Sequence, residues 1–222
     1  MTINFPQTTL VNKVVPKTSF YRFMDIDTKL KQLFVNDVEK IIWLYKLAPS
    51  TLNVENGKTV HEITIFEVFL KNEDFSEELF RFIDEKMPRH IVFIIRAGER
   101  SRLLVNYKEW IDEQKGLFSI TKSFVTPWIE TENCTLEIQG LTLDRVYDHF
   151  VSQISGLKLS AEKDLSELVA LEKEIQSKRK EIESLKNRIK KEKQFNRQLE
   201  LNNHRKRLVK ELASLENKLL EI

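Results

Sequence analysis

Glu67 is the carboxylate whose sequence surroundings come closest to those of a catalytic group. It lies in the segment 60–71, VHEITIFEVFLK, whose β-branched and aromatic residues predict a strand. Lys71 falls on the same face of that strand, and Lys46 lies on the preceding predicted strand. An acid and a lysine held close together are parts of a metal-dependent nuclease site. These three residues are therefore the weak catalytic candidates of this sequence.

The spacing of these residues leaves a structural alternative open. A restriction-type nuclease core has Glu and Lys at alternate positions of one strand and an acid on the preceding strand. Glu67 and Lys71 are four residues apart, and the preceding segment 41–47, IIWLYKL, contains no acid, so Glu39 or Glu62 would have to help. Alternatively, Glu67 is a half-buried carboxylate that needs a cation, and Lys46 would pair with it across the two strands.

Other catalytic and ligand-binding motifs are missing from the sequence. The four histidines, His61, His90, His149 and His204, do not have metal-ligand spacing, and the five glycines form no phosphate-binding loop. No serine nucleophile motif occurs, and the single cysteine, Cys134, is expected to fill a small apolar space. We therefore expect no cofactor, no metal and no established catalytic residue.

The strongest charge feature is a basic cluster near the C-terminus. Residues 178–210 contain 13 Lys and Arg against 4 Asp and Glu, although the whole chain of 222 residues has a net charge of only +2. Such local charge is typical of phosphate binding, although a solvated helix face is the alternative. No aromatic series accompanies it, so the sequence does not indicate base stacking. The candidate nucleic-acid-binding residues are Lys186, Arg188, Lys190, Lys191, Lys193, Arg197, Arg205, Lys206, Arg207 and Lys210.

The cluster lies in a segment, 157–222, that contains neither Gly nor Pro and predicts long helices. Its apolar residues form two series that do not share one helical frame. The first is Leu168, Leu171, Ile175, Ile182, Leu185 and Ile189, and the second is Leu208, Leu212, Leu215, Leu219 and Ile222. A helical hairpin that reverses within 193–204, best at Asn202 or Asn203, buries both series in one chain. A single long helix would instead need a coiled-coil partner, for example a homodimer.

The preceding residues predict an α+β domain with a mostly antiparallel sheet of about five strands and flanking helices. Residues 1–17 look extended. The expected strands are 41–47, 60–71, 90–96, 102–107 and 117–125. The expected helices are 18–38, with a break near residues 25–27, then 75–87, and 142–155 between a Thr142 cap and Gly156. The predicted domains are 1–158, globular, and 159–222, a charged coiled-coil or hairpin extension.

Four blocks of this sequence, taken together, resemble a bacterial family catalogued as domain of unknown function 4391. They are VNKVVPKTSFY (11–21), IIWLYKLAPSTLN (41–53), EITIFEVFLK (62–71) and KEKQFNRQLELN (191–202). The resemblance runs over nearly the whole chain in the same order. It implies genes that lie beside helicases, DNA methyltransferases and restriction-like subunits, and therefore an accessory role in DNA-based phage defence. It transfers no catalytic residue.

The sequence thus predicts a cytoplasmic, non-catalytic accessory subunit that binds DNA and a helicase, methyltransferase or restriction partner. Nothing in it resembles a signal peptide or a transmembrane segment, so no membrane association is expected. Two alternatives stay open: a small metal-dependent nuclease centred on Glu67 and Lys71, and a structural coiled-coil oligomerisation module.

Overall fold

The computed structural model describes residues 3–112, 115–156 and 165–220. The chain divides into two compact units, Met1–Leu157 and Lys158–Ile222. The first unit contains a sheet with helices, so the predicted α+β class is confirmed, and the described part of the second unit is helical. No helix in the described ranges is both long enough and apolar enough to cross a membrane.

One mixed sheet organises the first unit, with the strand order β1-β2-β3-β4-β5-β6 and with β7 paired to β5. The pairs are antiparallel except β3 and β4, which run parallel. The strands are β1 (Leu10–Val14), β2 (Val38–Leu47), β3 (Ile63–Leu70), β4 (His90–Ala97), β5 (Arg100–Asp112), β6 (Leu117–Val125) and β7 (Ile129–Glu130).

The sheet is mostly antiparallel, as predicted, but it has seven strands instead of about five and includes one parallel pair. The strand β1 was missed because four of its five residues are exposed, so it shows no alternation of apolar and polar positions. The parallel pair arises because a helix connects β3 to β4, and such a crossover returns the chain in the same direction. This pairing places the side chains of β4 beside those of β3, which determines the partner of Glu67.

Except for the short helix Pro49–Leu52, which was not predicted, the helices of the first unit begin and end close to the predicted positions. The expected helix 18–38 is two helices, because Asp27 caps the second by accepting a hydrogen bond from the backbone N–H of Leu30 at 2.8 Å. Thr142 and Gly156 flank the last helix, as predicted, and Gly156 has a φ of 72°. The helices are α1 (Lys17–Phe23), α2 (Thr28–Asn36), α3 (Pro49–Leu52), α4 (Glu77–Lys86) and α5 (Leu143–Ser155), and two 3-10 turns cover Gln7–Thr9 and Thr131–Asn133.

The hydrophobic core of this unit lies on both faces of the sheet. On one face, α1, α2 and α4 bury a cluster that includes Phe34, Phe80 and Phe93. On the other face, α5 contacts β5 and β6, and its Phe150 stacks on Phe5 at 5.9 Å between ring centroids. Cys134 is buried, and this burial raises the pKa of its thiol, although Arg96 opposes the effect.

Candidate nucleic-acid interface

The predicted phosphate-binding residues lie on two long helices, α6 (Leu165–Lys191) and α7 (Phe195–Leu220). The two helices run antiparallel and pack against each other. Ile182 and Leu185 of α6 are buried against Leu208 of α7. Leu201 and Leu212 are partly buried at the same seam. The chain thus reverses, as the hairpin interpretation predicts, and Ile182 and Leu185 of the first apolar series pack with Leu208 and Leu212 of the second. The predicted contact of Leu219 lies outside the described side chains, as do the other series members Leu168 and Ile222.

The reversal occurs at residues 192–194, earlier than the favoured Asn202 and Asn203, which both lie within α7. The Glu192 carboxylate accepts hydrogen bonds from the backbone N–H groups of Lys193 and Gln194, each at 2.9 Å. These bonds lower the pKa of Glu192, with a further contribution from Arg197. A side-chain acceptor therefore stabilises the turn in the way that an N-cap residue does, without Gly, Pro or Asn.

Charge pairs between the helices add to the apolar seam away from the turn. Lys178 lies 2.6 Å from Glu211, and Arg179 lies 2.6 Å from Glu216. The hydrogen bond between Lys178 and Glu211 raises the pKa of the lysine and lowers that of the glutamate. Burying an aliphatic side chain stabilises by roughly 1.5–3 kcal/mol, so the seam contributes more than these exposed ion pairs.

The structure brings the ten predicted basic residues together on this hairpin, and nine of them are exposed. Only Arg205 is partly buried, where its guanidinium bonds the Asn202 side-chain oxygen at 3.0 and 3.1 Å. The exposed residues are Lys186, Arg188, Lys190, Lys191, Lys193, Arg197, Lys206, Arg207 and Lys210. Six of them flank the turn, and the others follow on α7 about 15–23 Å further along the helix.

Few of these cations have an acidic partner. Lys186 pairs with Glu183 at 3.0 Å, and Arg197 lies 3.7 Å from Glu192. Arg207 contributes to lowering the pKa of Glu211. The remaining six, Arg188, Lys190, Lys191, Lys193, Lys206 and Lys210, form no salt bridge with any residue in the described ranges. We call these six residues the free cation set.

The catalytic candidates are not brought together. Glu67 is buried and pairs with Arg96 of β4, so the predicted partner Lys46 was wrong. Lys46 instead lies 3.0 Å from Glu62, which also pairs with Arg89. Lys71 follows β3 and donates to the carbonyl of Val35 at 2.6 Å, whereas Glu39 is exposed on β2. Within the described ranges no three His, Cys, Asp or Glu side chains cluster as a metal site would require.

The first unit contains a buried ion pair that sequence reasoning missed. Lys108 of β5 lies 2.5 Å from Asp84 of α4, and both side chains are fully buried. Burial raises the pKa of Asp84 to about 6 against the opposing effect of Lys108, and burial also lowers the pKa of Lys108. Asn106 donates to Asp84 at 2.8 Å and accepts from Ser123 at 2.6 Å. The sequence does contain a signal for this pair: Asp84 occupies a core position of an amphipathic helix, and Lys108 occupies a core position of a buried strand.

A second missed feature is the carboxylate that holds the loop before β3. Asp144, in the first turn of α5, accepts backbone hydrogen bonds from Lys58, Thr59 and Val60 at 2.6, 3.1 and 2.8 Å. Partial burial raises its pKa, but these hydrogen bonds outweigh burial and the pKa is lowered. A Cβ on Gly57 would lie 2.5 Å from an Asp144 oxygen, so the loop needs glycine there.

Comparison with known sequences identifies the family of this chain. The sequence model described as "Domain of unknown function (DUF4391)" matches residues 3–212. The chain belongs to the DUF4391 family. The resemblance seen in the four sequence blocks is thereby confirmed. No curated protein and no solved structure matches it.

The DUF4391 match covers both compact units. It begins near the start of the globular unit and ends within α7, beyond Lys210. The whole basic cluster and the turn therefore lie inside the region that defines the family. The hairpin therefore belongs to the DUF4391 match except for the end of α7 after residue 212.

Proposed function

We propose that this protein is a non-catalytic, nucleic-acid-binding accessory subunit of a DNA-based phage-defence system. Its hairpin would contact DNA phosphates, and a helicase, methyltransferase or restriction subunit would be its protein partner. The single observation that carries the proposal is the free cation set, six exposed Lys and Arg of one hairpin that have no acidic partner among the residues the structure describes. Phosphate contacts by such cations supply most of sequence-independent DNA affinity.

The arrangement of charge supports a polyanionic partner. Away from the turn, Lys178 and Arg179 of α6 form ion pairs with glutamates of α7, and these pairs stabilise the packing of the two helices. Nearer the turn the compensation is incomplete: Lys186 pairs with Glu183 and Arg197 with Glu192, whereas the free cation set forms no salt bridge within the described ranges. Like charges within a Debye length of about 8 Å repel each other, and a bound phosphate backbone would relieve that repulsion.

The other two candidate functions receive less support. A nuclease needs acids that are free to hold a metal, whereas Glu67 and Glu62 are already paired with arginine or lysine. An oligomerisation module needs apolar stripes that face a second chain, whereas Ile182, Leu185 and Leu208 are buried in their own hairpin. The defence context is supported by the family resemblance and not by geometry.

Binding is tested with the full-length chain and two labelled duplexes of unrelated sequence. Affinity is measured by fluorescence anisotropy between about 50 and 200 mM salt. We expect log K to fall linearly with log salt, with the same slope for both duplexes. A protein that binds neither duplex in a salt-sensitive way would refute the proposal.

The accessory role is tested by co-purification with the products of neighbouring genes, with and without nuclease treatment. A partner that remains bound after the treatment contacts the protein directly, as we expect. A partner that is lost after treatment is bridged by DNA, which would contradict the proposed subunit role. In parallel, plasmid DNA incubated with the protein and Mg²⁺ or Mn²⁺ should remain intact, and cleavage would favour the nuclease alternative.

A further inference from the structure

Phe195 is the one aromatic side chain of the second unit, and it is 74% exposed. It is the first residue of α7, directly after the turn. Helical side chains lean toward the N-terminus of their helix, so Phe195 projects toward the end of the hairpin. An exposed Phe gives up the stabilisation that its burial would supply, and Phe195 is not among the described residues of the hairpin seam.

The surroundings of Phe195 are mainly basic, with one acid, Glu192, whose carboxylate caps the turn and lies 3.7 Å from Arg197. Lys193 precedes it by two residues and Arg197 follows it by two, and both are exposed. Lys191 is a further exposed cation at the end of α6. An aromatic ring between cations is complementary to a ligand that carries flat apolar faces beside negative charges. A nucleotide with an unpaired base has both in one unit, because the base and its phosphate are covalently linked.

We infer that Phe195 stacks on an unpaired base while Lys191, Lys193 and Arg197 hold the adjacent phosphates. The hairpin therefore prefers single-stranded or gapped DNA to intact duplex. An intact duplex buries its base faces, so stacking there requires unstacking a base step, which costs a few kcal/mol. This inference rests on the proposed function and adds the substrate class that the hairpin selects.

The test compares the full-length wild type with F195A, F195W and L199A. Leu199 is the matched control, because it is also exposed, at 51%, and lies one turn further along α7 without an aromatic ring. Affinity is measured for a single-stranded oligonucleotide carrying 2-aminopurine and for a duplex of the same length. Base–aromatic stacking is worth about 1–3 kcal/mol, so F195A should bind the single strand about 5- to 150-fold more weakly.

The expected pattern has three further parts. Duplex affinity and its salt slope stay unchanged in F195A, because the cations remain. Wild type and F195W quench 2-aminopurine, whereas F195A does not, and L199A behaves as wild type. F195A that matches wild type on single strands would overturn the inference while the salt-dependent duplex binding still supports the proposed function.

Two other results would also overturn it. An equal loss on single strand and duplex would show that Phe195 supports the turn and not base stacking. Weaker binding of F195A to phosphatidylserine vesicles, with unchanged nucleic-acid affinity, would assign the ring to a lipid surface. Failure of the proposed function is recognised separately, because then the wild type binds neither nucleic acid in a salt-sensitive way.

Discussion

Replacing Lys190, Lys191 and Lys193 with Gln removes half of the free cation set. All three side chains are exposed; Lys190 and Lys191 end α6, where Gln has nearly the helix propensity of Lys, and Lys193 lies in the turn. The matched control replaces Lys13, Lys31 and Lys58, three exposed lysines of the globular unit, with Gln. Both triple variants change the net charge equally, so they separate a local contact from a general effect of charge.

The expected magnitude follows from the number of cations. If all six members of the free cation set each contact one phosphate, the slope of log K against log salt is at most about −5.4 on duplex DNA. Removing three contacts flattens that slope by up to about 2.7. At about 0.1 M salt the same loss corresponds to an affinity up to about 500-fold weaker.

Anisotropy titrations at several salt concentrations give both quantities, and circular dichroism checks that helix content is unchanged. We expect the control triple variant to keep the wild-type slope. Equal losses in the two triple variants would refute the reasoning, because binding would then depend on net charge and not on the hairpin. An unchanged slope in the hairpin variant would place the phosphate contacts elsewhere.

The remaining predictions concern the stability of the globular unit, measured by urea unfolding. Glu67→Gln loses a buried charge pair, so its free energy of unfolding should fall by about 1–3 kcal/mol. A variant that keeps the wild-type stability but loses phage protection would favour the nuclease alternative. Lys108→Met leaves the Asp84 carboxylate buried without its cation and should cost about 3–5 kcal/mol at neutral pH. Because the pKa of Asp84 is already raised to about 6 and rises further in this variant, the deficit should shrink as the pH falls from 8 to 5, and a growing deficit would contradict the assignment. Gly57→Ala should destabilise less in an Asp144→Ala background than in the wild type, with a coupling of about 0.5–3 kcal/mol, and additive losses would show that the two residues do not meet.

Local sequence signals were sufficient for most of the secondary structure. The apolar run of β4 and the 3.6-residue pattern of α4 each bury residues that the pattern selects, such as Phe93 and Phe80. The cap residues Asp27 and Thr142 act as N-caps because their side chains accept the hydrogen bonds that a helix start leaves unpaired. These features depend on neighbours within one or two turns, which the sequence displays directly.

Features that depend on strand pairing were less accessible. Consecutive strands usually pair, which favours Lys46 as the partner of Glu67, and β2 and β3 do pair. The parallel pairing of β3 with β4, however, places Ile94 opposite Glu67 and brings Arg96 beside it. Lys46 lies opposite Thr64, three residues before Glu67 on β3, and pairs with Glu62 instead.

The turn of the hairpin shows a similar limit. Asn202 and Asn203 have the turn propensity, whereas the sequence 192–194 contains none of the usual turn residues. The apolar seam determines where the chain turns. Leu201 packs against the cluster of Ile182, Leu185 and Leu208, so α7 must begin several residues before Leu201. Burial of the apolar series outweighs the preference of single residues for a turn.

The basic residues of the hairpin are paired with acids at one end and not at the other, and this difference favours a binding role. At Lys178 and Arg179 the opposing helix supplies glutamates, and the charges stabilise the antiparallel register. At Lys190 and Lys191 no acid of the described chain is within salt-bridge distance, although the two lysines are adjacent. Helices that only had to pack together would gain from acids at both ends. The uncompensated end is explained if a phosphate backbone, supplied from outside the chain, takes the place of those acids.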